Sequence, residues 1–388
     1  MTDEHIGIGA LSSALETLES LNPERIFLVT GKKSYDSSDA CHILAPFLTS
    51  RKHQRFLDFS VNPKLEDVLS GVEAYQQGSF DLILAVGGGS VMDMAKLINA
   101  FAHTPDIQQM LLDGNVILKT PGVPLAAVPT TAGSGSEATP FAVIYINGEK
   151  YSLSHAYLKP GIVAVDPQLS SHMPPYLTAS SGFDALGQAV ESFWARGATE
   201  ESRGYAATAI SLILPTLEKA VNNPTMTERL AMAKGAYLAG KAIGISKTTI
   251  AHALSYYITN HYKIPHGHAV ALTLGKFFTA NSGCCGGKIL APGGRTHLDK
   301  TFEDLSALFG QAGPAECSNF WLELMSACGL ESDFAKVGIN NADHLEKVVA
   351  SVNTERMENN PVKFSRQELF KLLSKDYNER PFMNKQHA

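Results

Sequence analysis

The chain has 388 residues, of which 44% are hydrophobic and 18% are charged, and its formal net charge is −6. This length exceeds that of one typical hydrophobic core, so we expect two domains. The negative charge argues against a nucleic-acid-binding protein, which would carry a basic face. No apolar run reaches the roughly 18 residues of a membrane span, and the polar start from Met1 to Glu4 differs from a signal peptide.

Cysteine usage bears on the compartment. Only Cys284 and Cys285 are neighbours among the five cysteines, and no CxxC pair occurs. A disulfide framework is therefore not expected, and a reducing compartment is. The sequence predicts a cytoplasmic protein that does not associate with membranes.

The first half of the chain alternates between short apolar runs and helix-like segments. The runs cover residues 26–30, 82–86, 125–128 and 162–165. Such near-continuous runs suit parallel strands that are buried on both faces. Helix-like stretches lie between them and complete a βαβ pattern. We expect an α/β dinucleotide-binding domain over residues 1–172.

A glycine-rich junction follows the second of these runs and directly precedes a helix-like stretch. It consists of Gly87, Gly88, Gly89 and Ser90. Glycines allow the backbone to approach a pyrophosphate, and a helix N-terminus offers unpaired amides. A plain tight turn is the alternative.

A hydroxyl-rich loop follows the third run, over residues 129–137. Its side chains suit hydrogen bonds to phosphate and ribose, and the candidates are Thr130, Thr131 and Ser134. A Ser/Thr-rich surface loop is the alternative.

The first run is followed directly by Gly31, Lys32, Lys33 and Ser34. Dinucleotide-binding folds often place an acidic residue here, which binds the ribose and repels a 2′-phosphate. Glycine, lysines and serine would accept that phosphate instead, so Gly31, Lys32 and Ser34 favour NADP(H), with NAD(H) possible. A solvated lysine pair is the alternative.

The second half is dominated by helical patterns after Pro174 and Pro175. These patterns cover residues 182–195, 200–221, 226–243, 248–262, 301–312 and 315–328. We expect an all-α domain over residues 173–388. Residues 282–287 and 292–294 are typical of a flexible loop.

Four side chains in this half form a candidate metal site. Asp184 and Gln188 are four residues apart and share one helix face. Because Pro265 interrupts any helix after His252, the chain must bend and can return His266 to the same place. An Asp oxygen, a Gln oxygen and two His nitrogens suit Fe²⁺ or Zn²⁺ with one position open for substrate. Taken singly, Asp184 could be a helix cap and each His a packed or surface residue.

These segments together resemble the iron-dependent (group III) alcohol dehydrogenase family, from about residue 6 to 380. The matching segments are residues 85–93, 129–137, 182–186, 252–254 and 265–267. The resemblance implies a dehydroquinate synthase-like fold, with an α/β dinucleotide-binding domain followed by an all-α metal-binding domain. It also implies that Asp93 and Lys150 match positions that bind the cofactor in the family. For Lys150, a solvated lysine is the alternative.

The resemblance has four departures. Gln188 stands where the family usually has a His ligand, and Tyr256 stands where a His near the substrate is usual. Gly31 replaces an Asp that is common in NAD-preferring members. The opening strand of many relatives is expected to be absent or cropped.

The departures are similar to those of a subgroup, the phosphonoacetaldehyde reductases, as are residues 245–256 and 353–361. The resemblance implies a metal-dependent, NAD(P)H-linked aldehyde reductase that acts on a small aldehyde or alcohol and forms a homodimer. The expected reaction reduces phosphonoacetaldehyde to 2-hydroxyethylphosphonate. Tyr256 is the candidate proton donor or relay.

Lys247 lies in a segment that suggests phosphonate binding. Ser246, Lys247, Thr248 and Thr249 precede a predicted helix, whose N-terminus would add exposed amides to the lysine charge. The alternative is that Ser246 caps the helix and Lys247 is solvated. Three other functions stay open: a general short-chain alcohol dehydrogenase, a lyase or cyclising enzyme on the same scaffold, and a non-catalytic member that has lost its metal.

Overall fold

The structure is a computed structural model that describes residues 2–104, 107–112, 116–283, 287–352 and 354–374. Residues 284–286 of the predicted flexible loop and residue 353 lie outside this part of the chain. The chain divides into two compact units. The first comprises Met1–Pro174 and Asn223–Gly244, and the second comprises Pro175–Asn222 and Ile245–Ala388. Residues 223–244 thus group with the first unit although they follow part of the second unit in the chain. The single domain boundary near residue 172 stays a prediction.

The first unit is built on a six-stranded parallel sheet in the order β1-β8-β5-β4-β2-β3. Its strands are β1 (Asp3–Ile6), β2 (Arg25–Thr30), β3 (Lys52–Phe56), β4 (Leu82–Gly87), β5 (Leu125–Pro129) and β8 (Ile162–Val165). The four strands predicted from apolar runs are therefore present. The opening strand was expected to be absent or cropped; absence is wrong, because β1 is present and pairs with β8 over its four residues.

Helices cover both faces of this sheet because successive strand residues point to opposite sides. Phe27 and Val29 join the apolar cluster of α3 (Leu65–Gln76) and α4 (Gly89–Phe101). The residues that alternate with them join the cluster of α1 (Ala10–Ser20) and α2 (Ala40–Thr49). The short α5 (Ile107–Leu112) and the long α9 (Met226–Ser246) complete the helices of this unit.

An antiparallel hairpin follows β5 and was not predicted. It consists of β6 (Phe141–Ile146) and β7 (Glu149–Ser154). Asn147 and Gly148 join the strands with φ of 52° and 82°. Asn-Gly is the typical sequence for a two-residue turn with two positive φ angles, so the signal was in the sequence.

The second unit is almost entirely helical. Its helices are α6 (Pro175–Trp194), α7 (Glu200–Ile213), α8 (Leu217–Asn222), α10 (Ile250–Tyr262), α11 (His266–Gly283), α12 (Gly294–Phe309), α13 (Pro314–Ala327), α14 (Ala342–Ala350), α15 (Thr354–Asn359) and α16 (Arg366–Leu373). A two-residue pairing joins β9 (Lys288–Ile289) to β10 (Val362–Lys363). The predicted fold class is confirmed. Among the described residues, no helix is both long enough and apolar enough to cross a membrane.

Two predicted helices have different bounds. Helix α6 begins at Pro175 rather than at residue 182, since proline is well suited to the first position of a helix. Asp184 therefore lies within the helix and is not its cap. The predicted helix over 200–221 is divided into α7 and α8, with Pro215 between them.

Candidate active site

The glycine-rich junction lies where the sequence places it, between β4 and α4. Gly87 ends the strand, Gly88 is the N-cap of α4 and Gly89 is its first residue. A Cβ atom at Gly87 would lie 2.5 Å from Val91 Cγ2, and one at Gly89 would lie 2.7 Å from Ser134 Oγ. Glycine is therefore required by packing here. The Ser90 hydroxyl accepts a hydrogen bond from the Asn62 amide at 3.0 Å.

The hydroxyl-rich loop lies directly against this junction. The Thr130 amide donates to Gly87 O at 2.9 Å, and a Cβ atom at Gly88 would lie 3.4 Å from the Thr131 side chain. With Ser134 beside Gly89, the predicted residues of both segments come together at the carboxyl edge of the parallel sheet. Ligands of open α/β sheets bind at this edge.

Asp93 lies in α4 but is engaged by the chain that follows the loop. Its carboxylate accepts from the Ser136 hydroxyl at 2.6 Å and from the Val143 amide at 3.2 Å. Burial raises the pKa of Asp93, although the charges of Lys96 and Lys150 oppose that rise. Asp93 thus holds residues 136–143 in place, and a direct contact with the cofactor stays a prediction.

Sequence reasoning missed Lys96. Its ammonium group is fully buried and donates to the carbonyl oxygens of Ser136, Thr139 and Phe141 at 2.5–2.9 Å. Burial lowers the pKa of Lys96 to about 8, and burial raises the pKa of its neighbour Glu137 to about 7. The signal was a lysine inside an otherwise apolar helix pattern, where a charge needs buried partners.

The residues expected to select the cofactor follow β2. A Cβ atom at Gly31 would lie 2.4 Å from Ser34 Oγ and 3.8 Å from Val91 Cγ2, so Gly31 adjoins the start of α4. Lys32 is exposed and pairs with Asp58 at 3.1 Å. Arg55 was not predicted. It donates to Gly31 O at 3.3 Å and forms a two-bond pair with Asp36.

In the second unit, three side chains converge at one point. Asp184 from α6, His252 from α10 and His266 from α11 each present a ligand atom, and these atoms lie within 4.8 Å of one another. Asp184 Oδ1 is 3.4 Å from His252 Nε2 and 3.8 Å from His266 Nε2. Gln188 lies one turn beyond Asp184 and its Oε1 atom is buried. The predicted bend is also present, since α10 ends at Tyr262 and α11 begins at His266.

Glu191, which sequence analysis did not assign to the site, fixes the His252 ring. His252 Nδ1 donates to Glu191 Oε2 at 2.5 Å. The Thr249 amide, the Thr249 hydroxyl and the Ala251 amide also donate to this carboxylate. Burial would raise the pKa of Glu191, but His252 and Thr249 together hold it below its ordinary value. Burial would lower the pKa of His252, but Glu191 and Asp184 raise it to about 9.

Two glycines let the helices of the site approach one another. A Cβ atom at Gly267 would lie 1.8 Å from Ser180 O and 2.8 Å from Asp184 Cβ. One at Gly187 would lie 2.9 Å from Val270 Cγ1. Only glycine permits this crossing of α6 and α11, which brings His266 beside Asp184. The neighbouring His268 points elsewhere and bonds Glu331 O at 2.7 Å, and the exposed His261 stacks on Tyr257, as expected for a residue that is not a ligand.

This donor set fits a divalent cation. His252 Nδ1 is held by a carboxylate, as in most metal-binding histidines, so its buried Nε2 atom presents the lone pair. A carboxylate oxygen, an amide oxygen and imidazole nitrogens suit iron or zinc. Cation binding replaces the proton that the His252 ring otherwise holds.

Tyr256 is half-buried, and its ring is stacked with that of His266 at a centroid distance of 5.7 Å. It therefore adjoins the candidate metal site, although its role as a proton donor stays a prediction.

The segment before α10 differs from its prediction. Ser246, Thr248 and Thr249 are buried, and the helix N-terminus binds Glu191. Ser246 Oγ donates to Ser192 Oγ at 2.7 Å. The Ser246 hydroxyl and the Thr249 hydroxyl and amide therefore already bond within the protein, and the expected anion site of four donors stays a prediction. Lys247 is half-exposed with φ of 61°, and its contact with substrate stays a prediction.

Comparison with known proteins gives family matches over both halves of the chain. The family model for iron-containing alcohol dehydrogenases matches residues 2–167, and the model for the C-terminal region of the same family matches residues 178–377. Long-chain-alcohol dehydrogenase 1 of Geobacillus thermodenitrificans is 35% identical over 274 residues, which is 70% of this chain and 69% of the relative. Phosphonoacetaldehyde reductase of Streptomyces viridochromogenes is 32% identical over 302 residues, 76% of this chain and 75% of the relative.

Solved structures are also similar. The sulfoacetaldehyde reductase of Bifidobacterium kashiwanohense, in complex with NAD+, superposes with a TM-score of 0.86 at 26% identity. The match covers 99% of this chain and 98% of that one.

Proposed function

Because the chain belongs to the iron-containing alcohol dehydrogenase family, we propose that it is a metal-dependent aldehyde reductase that uses NADPH. The observation that supports this most directly is the convergence of Asp184, His252 and His266 within 4.8 Å. The overall reaction converts an aldehyde, NADPH and a proton into a primary alcohol and NADP+.

When bound, the nicotinamide supplies a hydride to the carbonyl carbon, and iron or zinc polarises the carbonyl oxygen as a Lewis acid. Asp184, Gln188, His252 and His266 hold the cation in this proposal. Glu191 orients the His252 ring from behind. Tyr256, stacked on His266, donates the proton that the product oxygen needs, directly or through a water molecule.

The first unit supplies the cofactor site. Gly87 to Ser90 and the adjoining Thr130, Thr131 and Ser134 bind the pyrophosphate and ribose in this proposal, with Lys150 nearer the nicotinamide. Lys96 and Asp93 support these contacts by fixing residues 136–143. A rigid loop matters because its hydrogen bonds must meet the phosphates without reorganising.

NADP(H) is the preferred cofactor in this proposal, with NAD(H) as the alternative. Gly31 adjoins the start of α4 and the Ser34 hydroxyl, Arg55 donates to its carbonyl oxygen, and Lys32 follows it in the chain. Asp36 and Asp58 partly neutralise these cations. The sulfoacetaldehyde reductase structure contains NAD+, which keeps the alternative open.

Phosphonoacetaldehyde is the proposed substrate. Its support is the likeness to a phosphonoacetaldehyde reductase and to a sulfoacetaldehyde reductase, whose named substrates both carry an anionic group on the carbon next to the aldehyde. Lys247 is the candidate partner of that anion. A general alcohol dehydrogenase is the second candidate, because the long-chain alcohol dehydrogenase is similarly related.

Homodimer assembly and a cytoplasmic location complete the proposal. The free thiols at Cys41, Cys317 and Cys328 suit a reducing compartment.

One assay tests these proposals together. Metal content is measured, and oxidation of NADPH and of NADH is followed with phosphonoacetaldehyde, propanal and a long-chain aldehyde. We expect one metal per chain, the highest kcat/KM with NADPH and phosphonoacetaldehyde, and loss of both metal and activity in His266→Ala.

Lys247→Ala should cost about 2–4 kcal/mol in kcat/KM for the phosphonate and little for propanal. An equal loss on both substrates would reject phosphonate binding by Lys247, and a metal-replete His266→Ala would reject the ligand set.

A further inference from the structure

Asn359, the last residue of α15, joins two segments that flank the metal site. Its side-chain Nδ2 donates to Ser246 O at 2.9 Å and to Thr248 O at 3.0 Å. Its Oδ1 accepts from the Gly197 amide at 3.0 Å, and its backbone carbonyl accepts from the Arg196 amide at 2.8 Å. One side chain therefore connects the chain just after α6 with the turn that leads into α10.

The turn that Asn359 holds is centred on Lys247. Lys247 has φ of 61°, in the left-handed region that disfavours residues with a Cβ atom. The two carbonyls that flank it both accept from the same Asn359 nitrogen. Because these bonds form only when both carbonyls point to one side, they stabilise the left-handed turn.

The direction of this turn decides where the metal-binding helix begins. Thr249 and Ala251 follow within four residues of Lys247, and their amides donate to Glu191 at 3.0 Å and 2.8 Å. The same carboxylate accepts from His252 Nδ1. A change in the turn would therefore disturb the donors that hold the carboxylate and, through it, the imidazole.

We propose that Asn359 is a positioning residue, which acts through the Lys247 turn to place His252 for metal binding and Lys247 for substrate. The proposal rests on the proposed metal ligands, but its effect on the turn does not require a metal. The hydrogen bonds of Asn359 go to residues 196, 197, 246 and 248 and to none of the candidate ligands, so its influence passes through residues 246–251.

The test uses Asn359→Asp, which keeps the size and the acceptor for Gly197 but replaces the two N–H donors with an oxygen that repels both carbonyls. Zn²⁺ affinity is measured on the metal-stripped full-length protein by chelator competition. We expect a loss of about tenfold or more, the size typical of removing an outer partner of a ligand. Amide hydrogen exchange at Thr249 and Ala251 should become faster, with or without Zn²⁺. Asn222→Asp is the control, because Asn222 also donates its amide to a helix carbonyl, Ala327 O; its Zn²⁺ affinity should stay unchanged.

A rescue separates this role from general stabilisation. Glycine enters the left-handed region freely, so in a Lys247→Gly background the turn should no longer depend on Asn359. Adding Asn359→Asp to Lys247→Gly should then change Zn²⁺ affinity less than twofold. If Asn359→Asp is poorly folded, Asn359→Ser, which keeps one donor, should show a smaller loss in the same direction. Unchanged exchange and affinity in Asn359→Asp would overturn the proposal, as would a full loss in the glycine background. A wild-type protein that binds no Zn²⁺ would instead reject the ligand set, and the exchange rates would still decide the role of Asn359.

Discussion

At the scale of single residues, Glu191 has the most demanding position in the second unit. Its carboxylate is fully buried and accepts from Thr249, Ala251 and His252. A buried carboxylate is tolerated only when such donors replace the lost water. Its charge also determines which nitrogen of His252 carries the hydrogen, and therefore which nitrogen is left for a cation.

Glu191→Gln should weaken metal binding while the fold persists. The amide keeps the size of the carboxylate but lacks the charge that holds the His252 Nδ1 hydrogen, so the ring loses its preferred orientation. Metal affinity should fall about 10- to 100-fold, as for other outer partners of metal ligands. Zn²⁺ titration of the metal-stripped variant measures this loss. Glu323→Gln, at an exposed position of α13, is the control. If both variants bind Zn²⁺ like the wild type, Glu191 does not orient a ligand.

The sequence predicts which side chains converge better than it predicts their partners. The convergence of Asp184, His252 and His266 could be predicted because spacing along helices constrains where such side chains can point. Glu191 and Lys96 depend on neighbours 58 or more and 40 or more positions away in the chain, respectively, which no local pattern reveals. The same limit applies to Thr249, whose hydroxyl suggested an anion site in the sequence but bonds the Glu191 carboxylate in the structure.

At the scale of elements, the crossing of α6 and α11 brings two of the candidate metal ligands together. The helices approach so closely at Gly267 that a methyl group would overlap Ser180 O. Since His266 begins α11 and Asp184 lies on α6, the crossing distance also sets the spacing between these two ligands. The close approach of the two helices therefore requires glycine at position 267.

Gly267→Ala should push the two helices apart. Overpacking of this kind typically costs about 1–3 kcal/mol of unfolding free energy, and Zn²⁺ affinity should fall with it because His266 moves. Urea unfolding and Zn²⁺ titration measure the two effects. Gly204→Ala is the matched control, because Gly204 lies in α7 and a Cβ atom there meets nothing within 4 Å. That control should be neutral or stabilising by up to about 1 kcal/mol. Equal stability of the two variants would contradict the close crossing.

At the scale of the whole molecule, the fold class follows from the periodicity of apolar residues in the sequence. Apolar runs with period two or no period predict the sheet, and long patterns with a helical period predict the second unit. This periodicity does not show which elements pack against one another. Helix α9 follows three helices of the second unit in the chain, yet its residues Ala233 and Tyr237 pack against Val163 and Val165 of β8. A helical pattern alone does not indicate which core receives its apolar face.

The buried charges of the first unit make its stability depend on pH. Folded Glu137 holds its proton up to about pH 7, because burial raises its pKa from 4.5. Unfolded Glu137 loses its proton near pH 4.5, so between these values the folded state binds more protons than the unfolded state. The contribution of Glu137 to stability is therefore greatest below pH 4.5 and is lost progressively as the pH rises to 7. Lys96 acts in the opposite sense at higher pH: burial lowers its pKa from 10.5 to about 8, so its contribution to stability rises between those values.

Glu137→Gln should remove the first of these dependences. The variant keeps the size of the side chain but cannot ionise, so its unfolding free energy relative to the wild type should increase from pH 5 to pH 7. We expect an increase of about 1–3 kcal/mol over this range, because each unit of difference between the folded and unfolded pKa is worth about 1.4 kcal/mol. Urea unfolding at pH 5, 6 and 7 measures the difference. Glu16→Gln, at an exposed position of α1, should show no such trend. A difference between Glu137→Gln and wild type that stays constant over this range would mean that Glu137 ionises normally in the folded protein.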